Sequence, residues 1–358
     1  MLKNDWWKSG MGLLTVIGMV IFGGLRGQAA SNQMPANGTV GFSVAAQLPK
    51  NQRNANHSFF DLTMRMGQTQ RLQVTIRNST NRDIRVTSAI HTASTNPNGI
   101  IEYAQNPDHY DSSLKYRFGE LTKLVGPSEV TVPANGSKVV SADVKLPAGE
   151  FQGVLLGGWY FQLVDQKATG VVKGATNVTS KYSYVIGMRY TVGQVPSPEL
   201  KLANVEPEML NGHHGIFPHI RNVQPAMLMG VDVQTQITRK RDGKVVRSAH
   251  KTDVQFAPNS EFRYPLLAGH TPLSAGNYHL HMVAKNLAHR WVFDRDFSIN
   301  WQTAQHYNHA TVDTLPKSPW WLLGVGAAGM LAAILSVWLF VAWRNKRRQP
   351  EDEVVTDE

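Results

Sequence analysis

The chain has no cysteine among its 358 residues. Disulfides, thiolate metal sites and thiol nucleophiles are therefore excluded. An exported part must rely on self-sufficient hydrophobic cores, which argues against a small stapled module. Acidic charge is also in short supply: 26 Asp and Glu stand against 36 Lys and Arg, giving a formal net charge of +10. Counted along the chain, the charge is +2 in residues 1–30, +9 in 31–343 and −1 in 344–358. A basic exterior confers solubility or attraction to anionic polymers. Its cations are scattered, and no nucleic-acid partner is expected. Enzyme signatures are missing as well: the exported part holds no Gly-x-Ser-x-Gly elbow, no His-Glu-x-x-His and no phosphate-cradling glycine loop. No catalytic residue, cofactor or metal site is assigned. No amphipathic helical period stands out between the two apolar segments near the ends, so an all-β exterior is expected.

What is present begins with Trp320 to Trp343, an uninterrupted apolar run without a charge. At about 1.5 Å per residue it reaches roughly 36 Å, enough to cross a hydrocarbon core of about 30 Å with some tilt. Only a helix satisfies its own backbone in lipid, and a buried core helix of this length would need a polar face that this run lacks. Trp320, Trp321 and Trp343 suit the headgroup interfaces, and Arg344, Lys346, Arg347 and Arg348 place the following side in the cytoplasm. Met11 to Leu25, with Lys3 and Lys8 ahead of it and Gly27-Gln28-Ala29 behind, reads as a secretory signal cut after Ala29; an uncleaved anchor is the alternative. The expected localisation is a single-pass cell-membrane protein with its N-terminal domains outside and its C-terminal tail in the cytoplasm.

Between these ends the sequence alternates with the two-residue period of half-buried strands. Leu72, Val74 and Ile76 alternate with polar neighbours, Asn78-Ser79-Thr80-Asn81 has turn chemistry, and Ile84, Val86, Ser88 and Ile90 resume the alternation, which reads as a β-hairpin. A second hairpin is expected at Val130–Val132 and Val139–Leu146 around Pro133-Ala134-Asn135-Gly136. Gly153 to Leu163 is a continuous apolar strand in which Gly157-Gly158 implies a bulge or a close backbone approach. Gln194 to Pro198 punctuates the chain. Beyond it Asp242-Gly243 marks another hairpin, and Tyr278 stands where a tyrosine corner would enter a late strand. The expected architecture is all-β, two tandem immunoglobulin-like β-sandwiches, with a signal peptide at 1–29, the sandwiches at 38–194 and 198–300, a juxtamembrane linker at 301–319, the membrane helix at 320–343 and a cytoplasmic tail at 344–358. Fully extended at about 3.3 Å per residue, the linker would reach some 50 to 60 Å.

The long weakly patterned connection from His91 to Val130 is the favoured binding region, because such loops often carry function. Its candidates are Thr95, Asn96, Asn98, Tyr103, Tyr110 and Tyr116, whose aromatic faces and amides could hold a glycan or a peptide. Trp159, Tyr160 and Phe161 read as core. The 13 histidines raise the question of metal: His213, His214 and His219 cluster, and His279 and His281 share a strand face, yet nothing in the spacing supplies a third ligand or a partner carboxylate. Asp108 and Asp111 lack the ligand series of a calcium loop.

Several segments in order carry a family resemblance. Ser58-Phe59-Phe60-Asp61-Leu62, Gly67-Gln68, the strand to Asn78, and Ala93-Ser94-Thr95-Asn96-Pro97-Asn98-Gly99-Ile100-Ile101-Glu102-Tyr103 resemble the first domain of the WxL-interacting protein family of Gram-positive bacteria. Gly153 to Phe161 is similar to a later signature of that domain. Pro198 to Ile299, with Gly215-Ile216-Phe217-Pro218-His219-Ile220-Arg221-Asn222 and Gly276-Asn277-Tyr278, resembles the second. One departure is Met64-Arg65-Met66-Gly67, where the family tends to have a proline before the glycine. The resemblance implies a peptidoglycan-binding first domain followed by a host-binding second domain, in a non-enzymatic, membrane-anchored scaffold of a surface adhesion complex. Its expected partners are peptidoglycan, WxL-domain surface proteins and a host extracellular-matrix protein. The alternative is an enzyme acting on wall polymers through a loop carboxylate such as Asp108 or Glu102, which would need a second carboxylate at a fixed separation.

Overall fold

The computed structural model describes residues 41–164, 182–314 and 320–346. The signal segment, the polar loop at 173–180 and the acidic tail lie outside the described residues.

The first set of strands runs β1 (Phe42–Gln47), β2 (Phe60–Met64), β3 (Thr69–Asn78), β4 (Ile84–Thr92), β5 (Ser94–Thr95), β6 (Ile101–Glu102), a single helical turn α1 (Phe118–Leu121), β7 (Thr122–Val125), β8 (Glu129–Val132), β9 (Ser137–Lys145), β10 (Gly153–Leu163) and β11 (Ser183–Val192). They form a four-stranded sheet in the order β1-β3-β9-β7 and a five-stranded sheet in the order β2-β11-β10-β4-β8, with β5 and β6 as a small ribbon at the side. The alternation of β3 points Leu72, Val74 and Ile76 inward, each at most 1% exposed, against Val86, Trp159 and Phe161 at 0% in the other sheet. Trp159 and Phe161 are thus core as expected, with Tyr160 half-buried.

Both expected hairpins in this half are corrected. β3 pairs with β1 and β9, while β4 pairs with β10 and β8. The turn at Asn78–Asn81 therefore carries the chain across the core to the facing sheet, and the turn at 133–136 does the same between β8 and β9. Alternation reports which face of a strand is buried, and both faces of a sandwich point into one core, so pattern alone does not choose the partner. The buried Asn78 decides it. Its amide donates to the carbonyls of Arg82 (2.7 Å), Val132 (3.2 Å) and Pro133 (3.0 Å), tying the two crossings together. The Gly157-Gly158 pair proves to be a close approach and not a bulge, since β10 keeps unbroken register with both neighbours. A Cβ on Gly157 would lie 2.2 Å from the Phe118 ring, and one on Gly158 would lie 2.7 Å from Tyr103.

The second set comprises β12 (Leu200–Leu210), β13 (His213–Asn222), β14 (Leu228–Arg239), β15 (Val245–Phe256), β16 (Ser260–Arg263), β17 (Leu266–Leu267), β18 (Gly276–Lys285) and β19 (Arg290–Ile299). One sheet is ordered β12-β13-β16 with β17 also on β13, and the facing sheet is β15-β14-β18-β19. The Asp242-Gly243 turn joins β14 to β15 as a true hairpin. The Tyr278 hydroxyl donates to the Ser274 carbonyl at 2.7 Å, the bond of a tyrosine corner. Asn222, at the end of β13, repeats the device of Asn78: its amide donates to Ala226 (2.7 Å) and Ala257 (3.0 Å) carbonyls.

The segment after Ile299 is not extended throughout. Helix α2 (Trp301–Ala310) starts at Asn300, whose side chain accepts from the Thr303 N–H, a helix-capping bond. It packs on the second sandwich through buried Ala304 and half-buried Tyr307. Finally, α3 (Trp320–Lys346) has 27 residues, and its stretch Gly324–Arg344 is long and apolar enough to cross a membrane.

Candidate functional site

The two sandwiches share an apolar contact. Ala93, Ile101, Val154 and Leu156 of the first pack with Ala257 of the second, and half-buried Tyr103 and Met227 close over them. Polar groups at this contact are paired across it: the Thr95 hydroxyl lies 2.8 Å from that of Ser260 and accepts from the Ala257 N–H at 3.0 Å. Beside them the Gln255 N–H donates to the Gly99 carbonyl at 2.8 Å. Asp111, almost wholly buried at its side chain, takes a two-pronged pair from Arg221, Nε at 2.6 Å and Nη2 at 2.8 Å. Burial raises the Asp111 carboxyl, and the bonds from Arg221 and Ser113 more than offset it, so it titrates below the usual carboxylate range.

Next to this contact opens a cleft of about 490 Å³ whose walls come from both halves. The first sandwich contributes the connection around β5 and β6, including Asn96, Glu102, Asp108 and Tyr110. The second contributes the outer face of the β12-β13-β16 sheet, with Glu208, His219, Glu261 and Arg263. Sheet register explains that face. His219 on β13 stands opposite Arg263 on β16, Arg221 opposite Glu261, and Glu206 and Glu208 of β12 point the same way. His219 sits between carboxylates, Nδ1 on Glu261 and Nε2 on Glu208, while the other oxygen of Glu208 meets Arg263. The cleft is thus lined by Glu102, Asp108, Asp111, Glu208 and Glu261 against the one guanidinium of Arg263, an acidic hollow in a basic exterior.

The sequence-predicted residues divide. Thr95, Asn96 and Tyr110 line the cleft. Thr95, however, is committed to the contact between sandwiches, and the Asn96 side chain accepts from the N–H groups of Asn98 (3.0 Å) and Ile100 (3.2 Å), shaping its own turn. Asn98 is exposed outside the lining. Tyr110 presents its ring with the Arg117 guanidinium 4.5 Å from its centroid, a cation–π pair that holds the face in place. Tyr103 is packed behind Gly158, and burial pushes its phenol up. Tyr116 meets Phe151 edge-on at 5.8 Å in a separate small hollow.

The histidines also divide. His213 Nδ1 lies 2.9 Å and His214 Nδ1 3.6 Å from Asp313 after α2, away from His219. His279 and His281 do share a face, where Asp294 and Asp296 surround them, and the bond to Asp296 raises His279 first of all. The carboxylates named for an enzyme alternative, Asp108 and Glu102, both line the cleft, and Glu102 Oε1 accepts from the N–H groups of Tyr103 (2.9 Å) and Ala104 (2.7 Å). Sequence reasoning missed Glu208, Glu261, Arg221 and Arg263, because no spacing relates them to a loop about a hundred residues earlier.

No curated protein sequence matches the chain. Among solved structures, the E. coli chaperone DraB is similar at 14% identity over 72% of this chain and 98% of that one, with a TM-score of 0.26. The Pseudomonas aeruginosa chaperone CupB2 shares 13% over 65% and 95%, with a TM-score of 0.24. The Class 5 fimbriae chaperone CfaA shares 12% over 71% and 98%, with a TM-score of 0.28. Residues 42–163 match the peptidoglycan-binding domain of WxL Interacting Protein, and residues 173–309 match its host-binding domain, the order the resemblance implies. The chain therefore belongs to the WxL-interacting protein family, with a peptidoglycan-binding domain followed by a host-binding domain.

Proposed function

We propose that this protein is a membrane-tethered, non-enzymatic scaffold that grips the cell wall in the cleft between its sandwiches and gathers WxL-domain proteins and a host matrix protein around it. The observation that carries the wall-binding part is the match of residues 42–163 to a peptidoglycan-binding domain. The cleft suits such a ligand. It offers the Tyr110 face for a sugar ring, amide groups for hydroxyls, and carboxylates for the ammonium groups of wall peptides. Apolar α3, followed in sequence by Arg344, Lys346, Arg347 and Arg348, serves as a single anchor with the tail inside. In this reading the chain passes from one domain to the next at residues 194–198, WxL-domain proteins are partners, and both domains face outward. Co-sedimentation of the exported part with purified peptidoglycan tests it: the protein is expected in the pellet, and protein left in the supernatant contradicts the reading.

A further inference from the structure

We infer that Glu206, Glu208 and His219 form a site for one divalent transition-metal cation, with Zn²⁺ the natural probe. Ligand atoms of these three residues lie within 4.8 Å of one another, on adjacent strands of a rigid sheet. His219 Nε2 faces Glu208 and stands 3.7 Å from Glu206, while its Nδ1 faces Glu261. A neutral imidazole has one N–H to give. If Nδ1 donates to Glu261, the Nε2 lone pair is left pointing at carboxylate lone pairs, a repulsive arrangement unless a cation lies between them. The same tautomer is the one a zinc-binding histidine adopts, with a carboxylate orienting the ring from behind.

The charges on this face ask for the same thing. Glu206, Glu208, Glu261 and Asp111 stand against Arg221 and Arg263, an excess of two negative charges that one divalent cation cancels. Arg263 meets one oxygen of Glu208 and the other faces His219 Nε2, so a metal entering there would take that oxygen and the imidazole nitrogen together as ligands. Two carboxylate oxygens and one imidazole nitrogen leave a fourth tetrahedral position, and the adjoining cleft gives a way in and space for water or a ligand oxygen. The site stands independently of whether the cleft takes wall polymer.

The test is calorimetric titration of the full chain in detergent with Zn²⁺ alone. One ion per chain is expected, with affinity reduced at least tenfold in Glu206→Gln and lost in His219→Ala. Glu206 is exposed and its variant should fold as the parent does, which keeps the result readable if His219→Ala is unstable. A His281→Ala variant should bind as the parent does, because His279 and His281 form a separate surface group. No stoichiometric Zn²⁺ binding, binding unchanged in Glu206→Gln, or loss in His281→Ala would overturn the assignment, the first leaving a proton as the bridging cation.

Discussion

Single residues set the crossing points of this fold. Asn78 and Asn222 are each at most 1% exposed, and each ends an Ile-Arg-Asn triplet, residues 76–78 and 220–222. The repeat was legible, but its meaning was not, because a buried amide that binds carbonyls from two connections looks in sequence like any turn asparagine. Asn222→Ala takes one donor from each of two carbonyls, that of Ala257 keeping the Ser260 hydroxyl, and should cost about 1–3 kcal/mol, read as a lower denaturant midpoint. Gly157→Ala forces a methyl into Phe118 and should cost a similar amount, about 1–3 kcal/mol by overpacking. Asp111 and Asp61 carry an acid sensitivity. Burial raises Asp61, the pair with Arg189 more than offsets it, and its carboxyl, like that of Asp111, falls below the usual range. A depressed folded value means stability that is present above the unfolded value of about 4 and is lost as pH falls through the folded one. Unfolding scanned by pH should therefore show a loss of stability beginning below about pH 4. In Asp111→Asn that loss should be smaller, on a baseline already reduced by about 3 kcal/mol from breaking a largely buried pair.

At the scale of elements, the strands themselves were readable, and the errors lay in how they join. Period-two alternation identified β3 and β4, and the Asp242-Gly243 signal identified a true hairpin, which the Arg239 N–H closes on the Lys244 carbonyl and the Gly243 N–H on the Arg239 carbonyl. The connections after β3 (79–83) and β8 (133–136) are about as long as the one inside the β14-β15 hairpin (240–244), so loop length does not say whether the chain returns or crosses the core. Helix α2 shows the opposite failure. Its capping Asn300 and the spacing of Ala304, Tyr307 and Asn308 were there to be read, but the composition is polar and the buried face is narrow. Tertiary bonds hold it. Asn308 exchanges two hydrogen bonds with the Leu273 backbone, at 2.8 and 2.9 Å, and the following residues are clasped by Val312 N–H on Gly212, Asp313 on His213 and the Thr314 carbonyl on His270. An exported chain ending at Asn300 should accordingly melt at least about 2–4 °C below one ending at Thr314, the shift expected for each kcal/mol in a domain of this size. Equal melting temperatures would make α2 an ornament of the linker.

Over the whole molecule, the candidate site depends on two sandwiches meeting, and this is why the loop was legible while half of its partners were not. The contact around Ala93, Val154, Leu156 and Ala257 is apolar, so cutting the chain between the sandwiches would expose it along with half a cleft. Wall binding is therefore better assayed on the joined exported part than on separate halves. Truncation before Pro319 should release the protein into the medium, and retention at the membrane would contradict a single anchor at α3. If the cleft holds the wall, Tyr110 is the residue to change, because it offers the cleft a large aromatic surface without bridging the sandwiches. In co-sedimentation with peptidoglycan, Tyr110→Ala should bind about tenfold more weakly, the equivalent of roughly 1.4 kcal/mol of lost stacking. Tyr116→Ala, outside the cleft, should bind as the parent does. Undiminished binding by Tyr110→Ala, or an equal loss in both variants, would place wall binding outside the cleft.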